Sequence, residues 1–383
     1  MLEVDRDQVL AYRLAAHHLT ERLGPRSLVK AAVPVGVQET PTGTAALAFA
    51  ARVDGLTLEA LDRALRVRRT LLTIWSMRGA PHVVPAADLE VFTLGALPVD
   101  AASFRQSMGG WSDALDAAEL DVHETLDEMA AAARDLLDGR TMNVNELRDL
   151  VRERVPALAK VRKPEFARDP MPEPMFRALG TAGAVCIVSG RGTDSEMGRT
   201  DQWLGSSPVP DSTEKARAEL ARRYLHAYGP STPRHFAEWT GRSTEDAKQA
   251  FSLIEGELEE VSFGGRSWML RRDAKALSSP SEPRGVRLLP VQDPYLQQRD
   301  RTTLLADAAR RKRLWQPIRG PGGVLSGGDI VATWRSTIKG RRLEVTVEPF
   351  GRLAGTVREQ VAVEAELAAT IRGCETVRLT FGG

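Results

Sequence analysis

Thr232-Pro233-Arg-His-Phe-Ala-Glu-Trp239-Thr-Gly241, followed by Ser243-Thr-Glu-Asp-Ala-Lys-Gln-Ala-Phe251 and then by Glu259-Glu-Val-Ser-Phe263 and Arg266-Ser-Trp-Met-Leu270, is the stretch that decides the fold. Its first two segments read as helices. Gly241 supplies the sharp turn between them, and Ser243 is a natural N-cap because its hydroxyl can accept from an unpaired amide of the first turn. The last two segments read as strands, and the Gly264-Gly265 pair between them suits the primed turns that join antiparallel hairpins. A further helix over 216–228, stopped by Gly229-Pro230, precedes the whole. Helices followed by a hairpin is the order of a winged helix.

The same order recurs upstream. Val9, Leu10, Leu14, Leu19 and Leu23 fall on one face of a helix expected over 5–23 and stopped by Gly24-Pro25. A short helix over 27–32, an Ala-rich one over 44–53 and another from Thr57 towards Arg66 come next. Arg69-Thr-Leu-Leu-Thr-Ile-Trp75, a turn at Ser76-Met-Arg78-Gly79 and a return through Pro81-His82-Val83-Val84 then give a hairpin. A second set has helices at 145–151 and 175–180, an irregular connection marked by Pro156, Pro164, Pro170, Pro172 and Pro174, a strand at 183–188 and a loop at 190–198. Beyond the linker Ser278-Ser-Pro280-Ser-Glu-Pro283, strands at 286–290, 327–335 and 342–347 and a helix at 361–371 form a small mixed unit. The expected fold is mainly α with small β elements (α+β): three tandem winged-helix units plus a C-terminal α+β unit. The expected domains are 1–97, 98–205, 206–275 and 284–383.

Composition narrows the function. With 42% hydrophobic and 27% charged residues, the 383-residue chain reads as a globular protein of several cores. It has no apolar run long enough for a bilayer, and Met1-Leu2-Glu3-Val4-Asp5 is unlike a signal peptide, so a cytoplasmic protein without a membrane partner is expected. Cys186 and Cys374 lack ligand-like spacing, and no phosphate loop, nucleophile elbow or metal-binding helix is present. No metal or cofactor is expected. The formal charge of +1 hides two poles: nine carboxylates between Trp111 and Asp138, against a run of arginines and lysines between Arg299 and Arg342. The cluster Arg311, Arg313 and Trp315 joins charge to an aromatic face, which suits DNA backbone contact and stacking and equally suits a solvated helix face.

The chemistry is placed at Val35-Gly36-Val37-Gln38-Glu39-Thr40-Pro41-Thr42-Gly43. Pro41 biases Thr40 to extended geometry, so Gln38 and Thr40 are expected on one face and Glu39 on the other. Thr42 or Thr44 is expected to cap the helix that follows, whose unpaired amides suit a phosphate or a polarised water.

This stretch resembles the AlkZ/YcaQ-like bacterial DNA glycosylases, in which a Gly-hydrophobic-Gln-x-Gln or Gln-x-Asp segment precedes an Ala-rich helix ending in Ala-Arg. Gln38 matches the first glutamine, and Thr40 stands where the family has Gln or Asp. The segment TIWSMRGAPHVVPAADL resembles another family motif, matching at Trp75, Arg78 and His82. So do LLP-x-x-DPYL at 288–296, RKR-x-W at 311–315 and TWR at 333–335. The resemblance implies tandem winged helices and hydrolysis of the N-glycosidic bond of bulky or crosslinked cationic alkylpurines in duplex DNA, in a setting of self-resistance to a genotoxin. Gln38 is expected to position the water and Thr40 to order that water or meet a phosphate, with Glu39, the one carboxylate nearby, as second choice to stabilise the sugar cation. Thr42, Thr44, Arg78, His82, Arg311, Arg313, Trp315 and Arg335 are expected to meet DNA, and the protein is expected to be a monomer. Two readings stay open for Trp75 and His82: Trp75 as core with His82 bonded across its hairpin, or contact with DNA. Two also stay open for the chain: the glycosylase, and a non-catalytic winged-helix DNA-binding protein or regulator that has lost the reaction through Thr40.

Overall fold

The computed structural model describes residues 2–161, 172–190, 192–205 and 213–382. Pro164 and Pro170 of the expected connection, residue 191 of the expected loop and the start of the third expected domain at 206–212 lie outside the described residues. Contacts divide the chain into two compact units. One comprises Met1–Asp62, Arg223–His235 and Gly256–Gly383, and the other Arg63–Arg222 and Phe236–Glu255.

The first unit is built on a sheet of five strands in the order Val286–Leu289, Gly322–Ser326, Asp329–Lys339, Arg342–Pro349 and Thr376–Phe381. The first three pairings are antiparallel, and two-residue turns join Ser326 to Asp329 and Lys339 to Arg342. The last is parallel and needs a crossover, supplied by helix Gly355–Ile371. Val361, Ala365 and Ala368 of that helix are buried. Two of these strands were not expected. Gly322–Ser326 opens on glycines that carry little strand signal, yet only glycine fits at 322, where a Cβ would run into the Leu289 carbonyl and the Trp334 indole. Thr376–Phe381 alternates half-buried Val377, Leu379 and Phe381 with exposed Thr376, Arg378 and Thr380, a strand pattern that the expected C-terminal unit leaves out.

In the same unit, helix Arg6–Ala16 begins in a capping box: Asp5 Oδ1 accepts from the Gln8 amide at 2.8 Å, and Gln8 Oε1 accepts from the Asp5 amide at 3.0 Å. It stops at Ala16, with His18 in the left-handed region at φ 55°, so the expected run to Leu23 is corrected. Leu19 still reaches the core, while the Leu23 amide donates to the Arg52 carbonyl at 2.7 Å. Apolar spacing persisted after the backbone had left the helix. The hairpin Leu258–Ser262 and Arg266–Leu270 turns at Gly264 and Gly265 as expected, and Leu2–Glu3 adds a parallel third strand.

The second unit carries the other two hairpins. Leu71–Trp75 pairs with Pro81–Pro85, and Val185–Ser189 with Glu196–Arg199. Thr73 opposite Ile187 joins them into one sheet. The strand Glu196–Arg199 occupies part of the expected loop. Helices Val122–Leu136, Val144–Arg154 and Glu173–Thr181 bury Met129, Ala133, Leu147, Val151, Phe176 and Leu179 in the core. Glu124, Asp127 and Glu128 lie on the exposed face of the first of these, so much of the acidic pole is the solvated side of an amphipathic helix. Trp75 is core: its ring meets Phe176 edge-on at 5.6 Å, and a Cβ at Gly180 would crowd its side chain.

Candidate active site

The Gln38 loop is closed from within. Gly43 is the residue before helix Thr44–Ala50, at φ 83°, and no side chain caps from that position. The cap comes from four residues upstream. Glu39 turns back so that Oε1 accepts from the Gly43 amide at 2.6 Å and Oε2 from the Ala45 amide at 2.8 Å. Both are charge-assisted bonds to the positive end of a helix. Thr44 is buried, and its hydroxyl donates back to the Pro41 carbonyl at 2.7 Å and the Gln38 carbonyl at 3.2 Å. The expectation that Thr42 or Thr44 caps the helix is therefore corrected. The amides that would have met a phosphate are bonded to Glu39. Thr42 is exposed, with its carbonyl accepting from Arg372 Nη1 at 3.2 Å.

Gln38 and Thr40 differ in environment. Thr40 is exposed, whereas Gln38 is 6% exposed. Gln38 Oε1 accepts from Gln297 Nε2 at 2.9 Å, and the same nitrogen donates to the Gln292 carbonyl at 3.0 Å. Gln292 presents that carbonyl from a left-handed turn at φ 62°. The turn is anchored by a buried ion pair. Arg52, just past the Ala-rich helix, donates to both carboxylate oxygens of Asp293 at 2.8 and 2.7 Å, and Asp293 in turn accepts from the Tyr295 amide at 2.9 Å. Asp293 thereby starts the helical turn Pro294–Gln297 that carries Gln297. Gln297 also walls a cavity of about 270 Å³ with Gln292, Arg299, Arg301 and Trp315.

A buried amide pair held by a rigid ion pair can orient a water without carrying charge itself, which suits a reaction whose leaving group is already cationic. Over residues 34–371 the chain matches the family described as DNA glycosylase AlkZ-like. It belongs to that family. The chain is 27% identical, over 97% of each sequence, to the interstrand DNA cross-link repair glycosylase of Streptomyces sahachiroi. Its fold is that of the Streptomyces sahachiroi DNA glycosylase AlkZ structure, with a TM-score of 0.78, 23% identity and full coverage of both chains.

The other expected site residues of this AlkZ-like chain fall into two groups. Arg78 and His82 sit in the second unit. Arg78 is exposed, at φ 56°, and donates to the Trp239 carbonyl. His82 is 1% exposed, its Nδ1 lies 2.8 Å from the Ala80 carbonyl, and burial with Arg78 nearby lowers its pKa to about 3. It is uncharged, and its bond is to the residue two positions back at the end of the turn, not across the hairpin to Ile74 as expected of a cross-strand contact. In the first unit, Arg311 is half-buried and donates to the Leu305 carbonyl at 2.9 Å and to the Ala306 carbonyl. Arg313 lies over Phe350, 4.9 Å from the ring centre, and pairs with Glu348 at 3.6 Å. Trp315 donates from Nε1 to the Leu296 carbonyl at 3.0 Å, and Arg301 covers its ring at 5.0 Å. Arg335 is exposed and donates to Gln316 Oε1 at 2.8 Å.

Gln297 was missed from the sequence. It follows the DPYL motif immediately, and nothing local distinguishes it from its neighbour Gln298; its meaning comes from a partner 259 positions away. Among the described residues no cluster of His, Cys, Asp or Glu could hold a metal ion, and no helix is long and apolar enough to cross a membrane.

Proposed function

We propose that this chain is a monofunctional, cofactor-free DNA glycosylase that works as a monomer in the cytoplasm, hydrolysing the N-glycosidic bond of cationic alkylpurines in duplex DNA. The observation that carries it is Gln38, buried at the family's glutamine position with its amide held by Gln297. In the reaction the glycosidic bond breaks, its electron pair passes to the purine and cancels the positive charge, and the oxygen of water bonds to the sugar carbon while its proton leaves to solvent. Gln38 orients that water. Thr40, two residues further on and exposed, offers a hydroxyl as a second ligand for the water or a contact to a phosphate. Glu39 contributes a fixed negative charge to a sugar that becomes cationic, although both of its oxygens are engaged in capping.

The resemblance to a relative named for crosslink repair supports bulky and crosslinked adducts as substrates. Exposed Arg335, Arg78 and the Arg313 face are the side chains we assign to phosphate contact; buried Thr44 and His82 act through the loop and hairpin they hold. The test is single-turnover base release from a cationic purine lesion in duplex DNA. The intact protein should release base, and Gln38→Ala should be slower by roughly a hundredfold or more, the scale of one lost transition-state contact. Tight lesion binding without release would leave the non-catalytic DNA-binding reading standing.

A further inference from the structure

A second site lies in the unit formed by Arg63–Arg222 and Phe236–Glu255, and it does not depend on the Gln38 reading. A cavity of about 300 Å³ is lined by Phe104 and Trp111 together with Arg78, Arg177, Arg242 and Glu173. Three guanidinium-bearing residues against one carboxylate make the wall positive. The volume sits at the low end of small-molecule pockets, about 300–1,000 Å³.

Arg242 is what singles the cavity out. The residue is 1% exposed, and its Nε, Nη1 and Nη2 have no hydrogen-bond partner among the described residues. The nearest carboxylate, Asp246, stands 3.5 Å from Nη1. It is already engaged, since Oδ1 accepts from Arg217 Nη2 at 2.5 Å and Oδ2 from Ser103 Oγ at 3.0 Å. The ring of Phe236 lies 5.4 Å away. Burial pulls the Arg242 pKa down to about 10, which still leaves it charged at neutral pH. The other two arginines are tied down: Arg177 donates to Glu173 at 2.9 Å and to the Gly79 carbonyl at 3.3 Å, and Arg78 to the Trp239 carbonyl. A buried guanidinium whose five donors make no hydrogen bond among the described residues is costly unless something enters to meet it. The turn that carries it is also tightly built, for Gly241 at φ 81° packs on Arg78 so closely that a Cβ there would strike the Arg78 side chain.

We infer that this cavity is an anion site for a phosphate group carried on a nucleotide, with the phosphate meeting Arg242 and the ring lying along Trp111 and Phe104. A planar guanidinium fork matches phosphate oxygens two at a time, and the aromatic wall accepts a base without reading it. The phosphate can come from a free nucleoside monophosphate or from a DNA strand, and the chemistry of capture is the same.

The experiment is a thermal melt of the full chain at constant ionic strength with three probes: inorganic phosphate, deoxyadenosine 5′-monophosphate, and a short oligodeoxynucleotide with or without a 5′-phosphate. Phosphate and the mononucleotide should each raise the melting temperature by a few degrees over chloride, the mononucleotide more. Arg242→Leu replaces a buried guanidinium that makes no hydrogen bond among the described residues by an apolar group and leaves Asp246 paired with Arg217, so it should still fold without phosphate and should lose that rise. Arg242→Lys, which keeps the charge and loses the fork, should keep only part of it. A rise with the phosphorylated oligonucleotide alone among the DNA probes assigns the site to strand ends, and a rise with the mononucleotide but neither oligonucleotide assigns it to free nucleotides. No phosphate-specific rise in the unmutated protein, or an equal rise in both Arg242 variants, overturns the inference.

Discussion

Gln297 Nε2 lies 2.9 Å from Gln38 Oε1 and 3.0 Å from the Gln292 carbonyl, so the amide at the proposed centre of chemistry takes its orientation from a residue in the far part of the sequence. An amide can be turned over at little local cost. Only a neighbour that distinguishes oxygen from nitrogen fixes which end meets the substrate, and Gln297 does so by donating.

Replacing that donor tests the arrangement. In Gln297→Glu the ionised carboxylate can only accept, so it repels Gln38 Oε1 and favours the inverted amide. Base release should fall by roughly ten- to a hundredfold at neutral pH, as for a lost supporting contact. A protonated glutamate donates again, so the defect should shrink as pH falls towards about 4–5. Gln297→Ala should show a loss without that recovery. A pH-independent defect in Gln297→Glu would mean that Gln297 merely fills space.

The Arg52–Asp293 pair is the base on which this rests, with side chains 1% and 0% exposed. Removing one partner leaves the other charge buried and unmet, at a cost of about 3–5 kcal/mol. Asp293→Asn and Arg52→Met should therefore each lower the melting temperature by many degrees. The double variant should be less unstable than the sum of the two, because it leaves no orphaned charge. Additive losses in denaturant titration would show that the two side chains are not coupled.

What was legible in the sequence was local. Ser243 accepts from the Asp246 amide at 3.1 Å as its position announced, and the two glycines at 264 and 265 turn the hairpin where they stand. Gln38 and the helix after it could be found because the motif is contiguous. The cap of that helix was misread, since Thr42 and Thr44 are the usual capping residue types and Glu39 reaches the same amides only through the fold of the loop. Gln297, and the sharing of one sheet by two hairpins through Thr73 and Ile187, depend on contacts between distant segments. Spacing along a chain does not contain them. The count of winged-helix units and the domain limits at 97, 205 and 275 are likewise proposals about how such segments group.

Three buried or half-buried histidines make the fold sensitive to acid. Burial and nearby Arg78 bring His82 down to about 3; burial, Lys30 and Arg52 bring His18 to about 4; and His17, enclosed by the rings of Tyr228 and Tyr295, is held well below the ordinary 6.5. Their folded-state values lie below the unfolded one, so the fold favours the neutral form. That stability is fully present above about 6.5 and is lost as pH falls towards 4 and 3, where the unfolded chain takes up protons first. Melting temperature should fall between pH 7 and pH 5, before most carboxylates titrate. His82→Asn keeps a donor for the Ala80 carbonyl and cannot titrate, so its decline should be shallower. Identical pH slopes in the two proteins would exclude His82 as a source of the effect.

Glu39 separates stability from chemistry at one position. Its two oxygens each accept a backbone amide at the start of helix Thr44–Ala50, and its charge opposes the positive end of that helix. Glu39→Gln retains one acceptor and removes the charge, so stability should drop by about 1 kcal/mol, the usual worth of a helix cap. Glu39→Ala should cost more, since both amides lose their partner. If capping is the whole role, base release by folded Glu39→Gln should stay within about threefold of the unmutated protein, while folded Gln38→Ala is slowed about a hundredfold. If the carboxylate also steadies the sugar cation, the order reverses: Glu39→Gln becomes the slower enzyme, with the loss in the chemical step and lesion binding retained. Measuring single-turnover rates and denaturation midpoints on the same preparations decides between the two, because a damaged cap moves the midpoint and a lost electrostatic contact moves the rate.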